Sequence, residues 1–111
     1  MNLVEEMKKT LEDHKIEDIS VIELANINPY ADYYLLGTAL NERQLSSMEE
    51  YIEEAALSSG GAIKRKDGDG DSGWIVYDCG EVIVHLFLKQ NREEINLEGL
   101  IEKTKEKLKL K

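Results

Sequence analysis

The sequence predicts a single α/β domain over residues 1–111, a mixed sheet of about five strands with helices packed against it. Three observations carry that expectation. Helix-period and strand-period apolar patterns alternate in the order α-β-β-α-β-β-β-α. The run Val82 to Leu88 is apolar at every position except His85, as suits a central strand covered on both faces. No Pro/Gly-rich linker and no internal repeat divides the chain. A chain of 111 residues buries roughly two-thirds of its unfolded surface on folding, enough for one core without metal or disulfide support.

Taken in order, Leu3, Val4, Met7 and Leu11 fall at helical spacing, so a helix is expected over 3–14, with Asn2 as N-cap and Glu5 at the capping-box position. Ile19 to Leu24 is β-branched and apolar and predicts a strand, closed by a loop through Asn26, Asn28 and Pro29. Tyr33 to Thr38 predicts a second. Asn41 can cap a long helix that turns Leu45, Met48, Ile52, Ala55, Ala56 and Ser59 inward and Glu49, Glu50, Glu53 and Glu54 outward, until Gly60-Gly61 ends it. A short strand over Ala62 to Lys66, a turn of Asp, Gly and Ser over Asp67 to Gly73, and strands over Trp74 to Asp78 and Glu81 to Leu88 follow, the last two joined by Cys79-Gly80. Asn96 can cap a final helix with Leu97, Leu100, Ile101 and Leu108 inward.

Charge and cysteine usage narrow the function classes. The first 101 residues hold nine basic against twenty-one acidic side chains, a net -12, whereas 102–111 hold five lysines against two glutamates. So acidic a body repels a phosphate backbone, which argues against direct sequence-specific nucleic-acid binding, and it favours a basic partner. The lone Cys79 has no partner for a disulfide or a thiolate metal site, the N-terminal residues lack the apolar core of a secretory signal, and no run approaches a membrane span. A reducing, cytoplasmic setting with no membrane contact is the expectation.

Most motifs that could carry chemistry fail on inspection. Asp67, Asp69 and Asp71 alternate as in a calcium loop, but the sixth position is Ser72 instead of glycine and the twelfth, Asp78, falls in a strand. Gly37-Thr38, after a strand and before a helix, has the placing of a nucleotidyltransferase Gly-Ser signature. That chemistry needs two carboxylates on the next strand, where Lys64, Arg65 and Lys66 stand instead. His14 and His85 have no nucleophile or metal-ligand spacing beside them, and Cys79 in a turn reads as an inert thiol. No catalytic residue, metal or cofactor is expected. The hairpin is more informative. With Cys79-Gly80 as a two-residue turn, Asp78 would face Glu81, Val76 would face Ile83 and Trp74 would face His85, placing an acidic pair and an indole on one face, a receptor for a basic, partly apolar partner.

Three segments together resemble the ribosomal silencing factor (Iojap-like) family. Ala31-Asp32-Tyr33-Tyr34-Leu35-Leu36-Gly37-Thr38, continuing to Asn41-Glu42-Arg43-Gln44, resembles its Ala-Asp-Tyr-Phe, apolar strand and Asn-Ser-x-Arg-Gln. Gly73 to Phe87 resembles Gly-Trp-x-Leu-x-Asp-Tyr-Gly-Asp-Val-Val-Val-His-x-Phe, and Asn91-Arg92-Glu93 with Leu97-Glu98-Gly99-Leu100 resembles the closing Glu-x-Arg and Leu-Glu-x-Leu-Trp. The likeness runs from about residue 5 to residue 101. It departs at Cys79 for tyrosine, Glu81 for aspartate, Lys89-Gln90 for Pro-Glu and Ile101 for tryptophan. The resemblance implies a non-catalytic factor that binds large-subunit ribosomal protein L-fourteen on the large ribosomal subunit and blocks joining of the small one. It also implies a link to late large-subunit assembly, a nucleotidyltransferase-like topology without the catalytic carboxylates, and homodimers when free. Trp74, Asp78, Glu81 and His85, with Asp32 and Tyr33, are the expected partner-binding residues. The rivals are a nucleotidyltransferase-like enzyme and a scaffold homodimer unrelated to ribosomes.

Overall fold

The computed structural model describes residues 2–24 and 27–109. Along the chain run α1 (Leu3–Asp13), β1 (Glu17–Glu23), β2 (Tyr33–Ala39), α2 (Glu42–Ser58), β3 (Arg65–Asp67), a 3-10 turn (Gly70–Ser72), β4 (Trp74–Asp78), β5 (Val82–Leu88), α3 (Lys89–Ile95) and α4 (Leu97–Lys109). The strands form one mixed sheet in the order β1-β2-β5-β4-β3, parallel only between β2 and β5. The expected mixed α/β architecture is therefore present, with β5 at its centre.

Capping fixes the first two helices where the sequence predicts them. Asn2 Oδ1 accepts from the Glu5 N–H at 3.0 Å, although the Glu5 carboxylate does not close a reciprocal box. Asn41 Oδ1 accepts from the Gln44 N–H at 2.8 Å, and the Gln44 side chain accepts from the Leu40 N–H and donates to His14 O, tying the start of α2 to the end of α1. At the far end Gly60, at φ +83°, turns the chain while the Gly61 and Gly60 N–H groups donate to the Ala56 and Leu57 carbonyls, the paired bonds of a Schellman motif.

Both helices bury their apolar stripes on one face of the sheet. Leu3, Met7 and Leu11 of α1 and Leu45, Met48, Ile52, Ala55 and Ala56 of α2 form one cluster with Leu35, Ile75, Tyr77, Val82, Val84 and Leu86. Gly37 lies inside β2, where a Cβ would meet Ile16 Cγ2 at 2.5 Å, so its role is close packing. This corrects the expected placing of Gly37-Thr38: it is mid-strand and not a strand-to-helix turn.

Other expectations also shift. The loop after β1 falls partly on Asn26, outside the described residues; Asn28 lies in it and accepts from the Tyr30 N–H. The third strand is Arg65–Asp67 instead of Ala62 to Lys66, since all three of its residues are exposed and leave no apolar period to read. The Asp/Gly/Ser stretch is an ordered turn, in which Asp69 and Ser72 form a reciprocal capping box and Gly70 packs on Ser46 of α2. An unanticipated helix, α3, follows β5 and has no fully buried residue. In α4 only Ile101 is buried of the four residues expected inward; Leu97 is half-buried, and Leu100 and Leu108 are exposed.

Candidate functional site

The β4–β5 hairpin is offset by two residues from the expected pairing. Cys79 bonds to Val82, leaving Gly80-Glu81 as the two-residue turn, with Gly80 at φ +93°. A positive φ at the first central position alone is the type II′ pattern, which glycine favours and whose twist matches the strands. The Asp78 carboxylate accepts from the Gly80 N–H at 2.9 Å and closes the turn locally. Asp78 consequently faces Ile83, Val76 faces His85 and Trp74 faces Phe87. The expected Asp78–Glu81 cross-strand pair does not exist: Glu81 sits in the turn.

Because the offset is even, each side chain keeps its expected side of the sheet. The face away from α1 and α2 carries Trp74, Val76 and Asp78 from β4, Ile83, His85 and Phe87 from β5, and Tyr34, Leu36 and Thr38 from β2. At its centre Phe87 and Leu36 are fully buried and His85 is 5% exposed; Tyr34, Trp74, Val76 and Ile83 are half-exposed around them. Trp74 stacks on Phe87 at 5.4 Å between centroids, and the Tyr34 ring meets His85 edge-on at 4.5 Å. Tyr34 is the residue sequence reasoning missed. Alternation along β2 separates it from Tyr33, but only the parallel register places it beside His85.

The expected residues thus divide. Trp74, Asp78 and His85 share this face, which is open only at its half-buried positions, since Leu36, Thr38, His85 and Phe87 are buried. Glu81 and Asp32 lie exposed at its end, brought together because the Asp32 and Tyr33 N–H groups both donate to Glu81 O, at 2.8 and 3.0 Å. The Tyr33 side chain packs instead against the core on the opposite face. His85, at 5% exposure, offers a partner almost no surface.

Burial decides the protonation state of the titratable groups on and beside this face. Burial holds His85 neutral, with its pKa lowered to about 4. Burial, and secondarily the neighbouring Asp78, pushes the Cys79 thiol up to about 11, so it stays protonated and unreactive. The Thr38 hydroxyl accepts from Arg92 Nη1 at 2.9 Å and is turned inward to a structural bond. Arg92 also donates from Nη1 to Asp18 O and from Nε to Glu98, at 3.0 Å for the latter, so one side chain of α3 joins β1, β2 and α4. Asp69 spends its carboxylate on the Ser72 N–H, and among the described residues no group of three or more His, Cys, Asp or Glu could hold a metal ion.

Known proteins resemble the chain over most of its length. A family model described as "Ribosomal silencing factor during starvation" matches residues 1–111. The chain is 32% identical over 89 residues to the ribosomal silencing factor RsfS of Bacillus subtilis, covering 80% of this chain and 75% of that one. It is 30% identical over 100 residues to the RsfS of Haemophilus influenzae, covering 90% and 98%. A mouse protein named for mitochondrial assembly of the ribosomal large subunit is 30% identical over 94 residues, covering 81% of this chain and 41% of its own length. Among solved structures, a Bacillus halodurans protein superposes with a TM-score of 0.77 at 28% identity, covering 88% of this chain and 91% of its own. A Chromobacterium violaceum protein gives 0.84 at 22% identity, covering 90% and 83%, and shares the fold. The chain belongs to the ribosomal silencing factors, a family of translational repressors and not of enzymes.

Proposed function

We propose that this chain docks through the open face of its sheet on large-subunit ribosomal protein L-fourteen, and that the bound protein sterically prevents the small subunit from joining the large one. The family match over residues 1–111 carries the reading. The face itself supports it: half-exposed Trp74, Tyr34, Val76 and Ile83 offer an aromatic and aliphatic centre, and Asp78, Glu81 and Asp32 offer acids for a basic surface. A part in late large-subunit assembly, suggested by the name of the mouse relative, belongs to the same proposal. So do homodimers when free, a cytoplasmic location and a nucleotidyltransferase-like topology of the mixed sheet without the catalytic carboxylates.

Such a factor acts by occupancy, without turnover. Sucrose-gradient sedimentation of isolated large and small subunits with saturating protein tests it. Separated subunits are expected where controls give joined ribosomes, with the protein travelling with the large subunit. A joined peak of unchanged size, with the protein folded, overturns the proposal.

A further inference from the structure

His85 is the one polar interruption in β5, and its surroundings make it an unusual occupant. Trp74 and Phe87 lie near-parallel to its ring at 6.0 and 6.2 Å, and Tyr34 meets it edge-on. The Trp74 Nε1–H donates to His85 Nδ1 at 3.2 Å. An indole nitrogen can only donate, so Nδ1 must be the unprotonated nitrogen and the ring proton must sit on Nε2. That Nε2 is buried and has no hydrogen-bond partner among the described residues.

A phenylalanine here would fill a similar space in the same aromatic cluster with no orphaned donor. What histidine adds is an acceptor directed at the Trp74 indole N–H. Trp74 is the only tryptophan in the chain and is half-exposed, so its indole has room for other rotamers; the bond to Nδ1 selects the one laid over Phe87. Fixing a large anchor before docking lowers the ordering cost of association.

We infer that His85 is a positioning residue, which does not itself touch the partner but holds the Trp74 indole in its docking orientation through the Nε1–H to Nδ1 bond. This rests on the reading that the open face is the docking face. The test therefore has one part on the free protein and one on binding.

In the free, 15N-labelled full chain the single tryptophan gives a single indole N–H resonance. The bond predicts slow exchange of that proton with water, and imidazole nitrogen shifts showing the Nε2–H tautomer. A proton on Nδ1 overturns the inference whether or not the protein binds ribosomes. His85→Phe, which keeps a ring and removes the acceptor, should speed indole exchange and weaken binding to large subunits about tenfold. His85→Asn, whose Oδ1 can occupy the place of Nδ1, should recover most of both. In a Trp74→Phe background His85→Phe should cost nothing further, since the group it positions is gone. A folded His85→Phe that binds like the wild type, an asparagine variant no better than the phenylalanine one, or an undiminished effect in the Trp74→Phe background overturns the inference. If the wild type itself fails to bind large subunits while the indole bond is present, it is the proposed function that fails.

Discussion

His85 keeps its proton off where an ordinary histidine begins to charge, because burial among Trp74, Tyr34 and Phe87 penalises the imidazolium. Among the described residues no charged side chain pairs with it, and Tyr34 is the titratable side chain in ring contact. With the folded value near 4 and the ordinary value at 6.5, the unfolded chain binds a proton between those limits that the folded chain does not. The sign follows: this contribution is fully present above about pH 6.5 and is lost as pH falls toward 4, by up to about 3 kcal/mol. Denaturant melts of the wild type and of His85→Phe at pH 7 and pH 4.5 share every carboxylate titration. The wild type should therefore lose about 2 to 3 kcal/mol more than the variant between the two, and equal losses would show that His85 does not titrate as a buried group. Its burial, in a strand that reads as covered on both faces, was legible from the sequence, but its bond to Trp74 was not. That bond depends on a diagonal contact that the hairpin register alone decides.

At the scale of elements, the turn at Gly80-Glu81 sets that register. Gly80 stands at φ +93°, where a Cβ is strained, so Gly80→Ala should destabilise the fold by roughly 1 to 2 kcal/mol, measured as a lower denaturation midpoint with unchanged slope. A neutral outcome would mean that the turn readily adopts another form. The sequence marks β4 and β5 well, within one residue at each end, because alternation and an unbroken apolar run are strong signals. It misplaces the turn because a Cys-Gly pair with glycine second and a Gly-Glu pair with glycine first look alike until the ladder is seen. Type II′ geometry decides for the latter. The failures at β3 and α3 share a different cause: all of β3 is exposed and α3 buries no residue fully, so neither has the periodicity from which an element is read. In α4 the apolar stripe is real, but of Leu97, Leu100, Ile101 and Leu108 only Ile101 is buried, and a helical pattern does not say how much of itself will find a neighbour.

For the molecule as a whole, the acidic excess bears on the proposed docking through Asp78, Glu81 and Asp32. Since Asp78 faces Ile83 and Glu81 occupies the turn, the two acids do not oppose each other, and removing their charges relieves no cross-strand repulsion. Asp78→Asn with Glu81→Gln should leave stability within about 0.5 kcal/mol, the asparagine oxygen still able to accept from the Gly80 N–H. If the proposed docking holds, affinity for large subunits should fall, mainly through slower association and a shallower salt dependence. Binding kinetics at two ionic strengths check this, and unchanged rates at both would remove these acids from the interface. The central place of β5 has a consequence of another kind, in the order of events during synthesis. β2 emerges early from the translating ribosome, yet its inner ladder is completed only by the parallel strand Val82–Leu88, which arrives after α2, β3 and β4. Until then Leu35 and Leu36 lack their native neighbour in the sheet, and the nascent chain carries an apolar strand with an open edge. A member of a family that silences ribosomes thus completes its own sheet only when the last of its strands has left one.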